Sequence, residues 1–143
     1  MPVMRYVCAA PGGKTWFALE TEAEAEAEAA LMGHAVDKHF RTHAAEARVS
    51  YSAPQSAAAF ERDIGLKDHI ARSAPLFLTL RADDGEALAT AMLPPLGRNQ
   101  TNFKIIIVGP DNGDPYAAHA AAIAALARKY GLELAREACF PYA

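Results

Sequence analysis

Residues 8–19 read Cys-Ala-Ala-Pro-Gly-Gly-Lys-Thr-Trp-Phe-Ala-Leu, and the course of the backbone through them decides the fold. A strand ending near Ala10 followed by a helix starting at Lys14 would frame a glycine-rich ligand loop. A strand on each side would make Pro11-Gly12-Gly13 a hairpin turn. Trp16 and Phe17 favour the second course, because aromatic side chains suit a pleated, half-buried surface. Met4 to Ala9 reads as the strand before the turn. The expectation is an N-terminal β-hairpin, with Lys14 an exposed turn residue and Trp16 an aromatic available to a partner.

Downstream, Thr21 is a good helix N-cap, and Glu24 three residues later completes a capping box. The run Glu22 to Glu28 alternates Glu with Ala, but both are strong helix formers and poor strand formers. Acidic residues also suit a helix N-terminus, so the run reads as a solvated helix start that lasts to about Met32, where Gly33 interrupts it. Ala35 to Ala47 is a second helical stretch with Val36 and Phe40 inward. Ser56 to Ser73 holds further helical turns, with Phe60, Ile64 and Ile70 expected inward and Gly65 as a joint.

The second half changes character. Leu76-Phe-Leu-Thr-Leu80 is a strand, Asp83-Asp84-Gly85 a hairpin-type turn, and Glu86 to Leu93 the returning strand. Phe103 to Val108 (FKIIIV) is the plainest strand in the chain. Asp114 and Pro115 open a helix to Tyr130. Gly131 stops that helix, and Leu132 to Phe140 is expected to return as a strand. The fold class is α+β: hairpin, helical middle, antiparallel meander, then helix and strand, with the helices packed on a mixed sheet. One compact domain over residues 1–143 is expected.

Composition bounds the function. The chain is 52% hydrophobic, yet alanine supplies 33 residues while Leu, Ile, Val and Phe supply 12, 6, 5 and 6. These alanines are concentrated in the expected helices, around residues 23–30, 57–59 and 117–127, and should allow close helix–sheet packing, while bulkier residues in the strands build the core. Net charge is -3 and the pI about 5.9, against a nucleic-acid footprint. There is no long apolar run for a membrane span and no export-type N-terminal pattern, so the expected setting is cytoplasmic. Cys8 and Cys139 are then expected to be buried, free thiols.

Gly13-Lys14-Thr15 matches the end of a phosphate-binding loop, but Cys8 stands where the first glycine belongs. The octapeptide Cys8 to Thr15 also resembles the cofactor loop of the RNA cytosine-5 methyltransferases. That resemblance implies an acidic residue two positions before the cysteine, where Tyr6 stands, and a Pro-Cys catalytic context, which the chain lacks. The order of elements in the second half looks like part of the GNAT acetyltransferases. Their pyrophosphate-binding motif is missing from Gly109-Pro-Asp-Asn-Gly-Asp114, and no family is assigned.

Other candidates follow from spacing. His39 and His43 lie four apart on one helix face, a separation suited to two ligands of one metal. His34 lies about 140° round the helix and joins them only if Gly33 breaks it. Asp83, Asp84, Asp111 and Asp114 are expected at one sheet end, where a hard cation would want such oxygens. The polar loop Arg98-Asn99-Gln100-Thr101-Asn102 has the densest hydrogen-bonding capacity. Two functions follow. The first is a non-catalytic binding or protein-interaction domain, with no cofactor, contacting a small ligand, a protein partner or a second copy through Arg98, Asn99, Gln100, Asn102 and Trp16. The alternative is an enzyme holding S-adenosylmethionine, ATP or acetyl-coenzyme A at Gly12, Gly13, Lys14 and Thr15.

Overall fold

Gly12 and Gly13 have φ of 81° and 72°, a left-handed backbone that glycine adopts without steric penalty. Across this turn β1 (Arg5–Ala10) and β2 (Lys14–Ala18) pair antiparallel, so residues 8–19 are a hairpin. The structure is a computed structural model that describes residues 4–52, 56–95 and 104–142.

After β2 the chain leaves the sheet for three helices, α1 (Glu22–Met32), α2 (Val36–Ser50) and α3 (Ala59–Ser73). It returns as β3 (Leu76–Arg81) beside β2, then β4 (Ala87–Leu93) and β5 (Ile106–Val108). The strand order is β1-β2-β3-β4-β5, with every strand pair antiparallel. Leu19 N–H donates to Phe77 O at 2.8 Å, so the points of departure and return are bonded to each other. The fold is α+β, and α4 (Tyr116–Tyr130) follows the sheet.

Strand alternation sorts the two faces. Trp16, Ala18, Leu78, Leu80, Ala91, Leu93 and Ile107 pack with Ala122, Ile123 and Leu126 of α4 and with Leu134 and Cys139. The opposite face carries Leu19, Phe77 and Met92, which meet Val36 and Phe40 of α2. Ala25 and Ala122 are buried, and their small side chains let α1 and α4 approach as composition suggested. The capping box forms as read: Thr21 accepts from Glu24 N–H, and the Glu24 carboxylate accepts from Thr21 N–H. Gly33 ends α1 in a left-handed cap.

Several expectations change. Trp16 is fully buried, and its Nε1–H donates to Ala122 O at 2.8 Å. It anchors α4 to the sheet and offers no surface to a partner. Phe60 and Ile64 are 66% and 61% exposed rather than inward, because α3 packs on α2, with Gly65 lying against the Tyr51 hydroxyl. The expected strand at 132–140 is absent. A short 3-10 turn (Arg136–Ala138) and a single parallel bridge, Ile106 to Phe140, stand in its place. A three-residue β5 gives a new strand little to pair with. The Tyr116 hydroxyl instead holds the segment by donating to Leu134 O at 2.8 Å. That bridge is the only parallel pairing among the described residues, so the sheet is antiparallel rather than mixed.

Cys8 is half-buried and Cys139 buried, both free. Burial raises both thiols above their ordinary range, which disfavours the reactive thiolate. Among the described residues no helix is long and apolar enough to cross a membrane.

Candidate functional site

On α2, Phe40, Ala44, Ala45 and Arg48 fall on one side, linked by spacings of three and four residues that share a helix face. They form one wall of a groove of about 700 Å³. Ile70 and Lys67 of α3 form the other wall, and Ala18, Leu19 and the segment from Ala74 to Leu78 form the floor. The volume lies within the range of small-molecule sites. The groove is open for a reason visible in the side chains. Ala44, Ala45 and Ala74 are too short to fill it, and α3 stands off the sheet without one fully buried residue among those described. Here alanine makes room instead of closing a contact.

The mouth is charged, with Arg5, Arg41, Arg48 and Lys67 beside Glu20 and Glu22. Arg5 pairs with Glu20 at 3.1 Å, and Lys67 with Asp63 at 3.5 Å. Arg41 reaches Asp37 at 3.0 Å and Glu22 at 3.6 Å. Arg48 lines the same mouth and has no carboxylate partner among the described residues.

A second chamber of about 250 Å³ lies at the α1–α2 corner, walled by Val36, Met92, Ile106 and Val108, with His34, His39 and Thr90 contributing polar atoms. Phe77 lines both spaces. Its ring sits 5.3 Å from that of Phe40, tilted by 56°, and 6.3 Å from His43.

Behind the second chamber runs a buried polar chain. Arg81 Nη2 donates to Glu28 Oε1 at 2.7 Å, and Thr90 Oγ1 donates to Glu28 Oε2 at 2.6 Å. With its proton so used, Thr90 accepts from His34 Nε2–H at 2.8 Å. That fixes the His34 tautomer and leaves Nδ1 facing the Val36 N–H, 3.4 Å away. Burial lowers the His34 pKa against the opposing pull of Glu28. Every buried polar side-chain atom among the described residues has a partner. The chain is a complete structural lock of α1 onto β3 and β4, with no free group for chemistry.

The sequence candidates scatter. Arg98, Asn99, Gln100 and Asn102 lie outside the described residues. Gly12, Gly13, Lys14 and Thr15 belong to the hairpin, and no helix begins at the lysine, so the strand-loop-helix geometry of a nucleotide cofactor loop is not present there. Lys14 is half-buried, not exposed, with Nζ 3.0 Å from His119 Nδ1. Burial and then the lysine charge lower the His119 pKa.

His39 is exposed at the second chamber, whereas His43 is half-buried against Phe77 with Glu46 at 3.6 Å. The left-handed Gly33 brings His34, not His43, to the same chamber as His39. Among the described residues no group of three or more metal-ligating side chains forms. The aspartates are engaged apart: Asp83 near Gly13, Asp111 against Gly33, and Asp114 with Arg136 at 2.6 Å.

Sequence reading missed Glu28, taken as part of a solvated run. The signal was present, because Ala25, Glu28 and Met32 share one helical face and all are buried. Compared with known proteins, the chain matches no protein family, no curated protein and no solved structure.

Proposed function

We propose that this is a non-catalytic binding domain whose groove takes a small amphiphile, an apolar body with an anionic head. The observation that carries it is the 700 Å³ groove, whose apolar lining meets, at its mouth, the guanidinium of Arg48, which has no carboxylate partner among the described residues. An apolar ligand body gains roughly 25 cal/mol for each Å² it removes from water. A carboxylate or phosphate meeting Arg48 adds a charge-assisted hydrogen bond, worth about 1.5–3 kcal/mol. The test is calorimetric titration with dodecanoate. Arg48→Glu is expected to weaken binding by about tenfold or more. Equal affinity in the variant, or no binding by the native chain, overturns the reading.

A second reading is contact with a protein, a second copy included. It rests on the exposed stripe of Phe60 and Ile64, with Val49 nearby in the chain order at the end of α2 and 87% exposed. It predicts an association that the double substitution Phe60→Ser, Ile64→Ser removes.

A further inference from the structure

We infer that Phe77 is a partition that sets the length of alkyl chain the groove accepts; this rests on the groove reading above and names its ligand class, straight-chain amphiphiles with a carboxylate or phosphate head. Phe77 is buried, yet it borders empty space on both sides, 700 Å³ in front and 250 Å³ behind. Its ring leans on Phe40 and, more distantly, on His43. Phe77 is the one residue among those described that belongs to both linings, and its ring is braced from α2.

Polarity fixes the ligand's direction. Arg48, which has no carboxylate partner among the described residues, lines the outer chamber and not the inner one. In the inner chamber Val36, Met92, Ile106 and Val108 present hydrocarbon, His34 has both ring nitrogens engaged, and His39 and Asn112 add polar atoms, but no described arginine or lysine lines it. The head group belongs at Arg48 and the tail points at Phe77. A tail that reaches Phe77 stops; with the ring removed, it runs on into the inner chamber.

The experiment measures dissociation constants for octanoate, dodecanoate and hexadecanoate with the native chain, Phe77→Ala and the milder Phe77→Leu, each checked for folding by circular dichroism. Each newly buried methylene is worth about a fourfold gain in affinity. Hexadecanoate is therefore expected to gain at least about tenfold relative to octanoate in Phe77→Ala, with a smaller gain in Phe77→Leu. Folded variants that bind but keep the native length preference overturn the partition while leaving the groove reading intact. If the native chain binds none of the series, the groove reading fails and the partition with it. Dodecyl phosphate in parallel distinguishes the two head groups. Binding of uncharged dodecanol as tight as that of dodecanoate and dodecyl phosphate overturns the placement of an anionic head at Arg48.

Discussion

Glu28 is completely buried and Arg81 nearly so, with side-chain exposures of 0% and 14%. Removing one partner of such a pair strands the other charge, at a cost of about 3–5 kcal/mol. Glu28→Ala is expected to lower stability by that amount in a urea melt, since it also leaves the Thr90 hydroxyl without its acceptor. Replacing both partners, Glu28→Met with Arg81→Met, should recover most of the loss, because two apolar groups need no counter-charge. A loss below about 1 kcal/mol for the single substitution would show that the lock is not structural. The residue was hard to read from the chain because its neighbours Glu22, Glu24 and Glu26 sit on or near the surface. Only the spacing from Ala25 to Met32 separates Glu28 from them, and its partners Arg81 and Thr90 are far away in sequence.

At the scale of the element, legibility followed locality. The capping box of α1 and the glycine turn of the first hairpin use residues within a few positions of one another, and both were readable. The segment 132–140 has strand-like residues, but a strand needs a partner edge, and the length of β5 is settled elsewhere. For α3 the pattern of Phe60, Ile64 and Ile70 marks an apolar face without saying what it meets. In the structure Ile70 lines the groove while Phe60 and Ile64 face out. Serine at both positions is thus expected to change stability by no more than about 0.5 kcal/mol each. The same double variant should abolish any concentration-dependent association seen by sedimentation velocity. Association that survives it would place the contact on another element.

At the scale of the molecule, the groove was not legible, since its walls come from segments spread between Arg5 and Leu78 and its space comes from what alanine leaves unfilled. Global stability carries a pH signature as well. Burial lowers His34, which faces Glu28, Asp37 and His39, and His119, which faces Lys14 and Glu86, below the ordinary value of 6.5. The folded chain then binds fewer protons than the unfolded chain, so stability rises with pH. The contribution is complete above pH 6.5 and is lost as pH falls through the folded-state values. Melting temperature should decline from pH 6.5 toward about 5, before most carboxylates titrate. His119→Asn, whose amide oxygen can still accept from Lys14, should flatten that decline. An unchanged profile in this variant would remove His119 from the account.

The bond between Leu19 and Phe77 has a kinetic consequence. Everything from residue 20 to residue 75 is one excursion between neighbouring strands. By loop-closure entropy, bringing its ends together costs about 2 kcal/mol more than closing the short turn between β3 and β4. The hairpin and the meander are therefore expected to zip early as separate half-sheets, with their seam closing last. Until it does, β2 and β3 are both open edges. As protein concentration approaches the effective concentration set by the connecting segment, the β3 of a neighbouring molecule can compete for β2, with the three helices as the arm that reaches across. The topology that opens the groove thus also makes strand exchange the characteristic hazard of refolding.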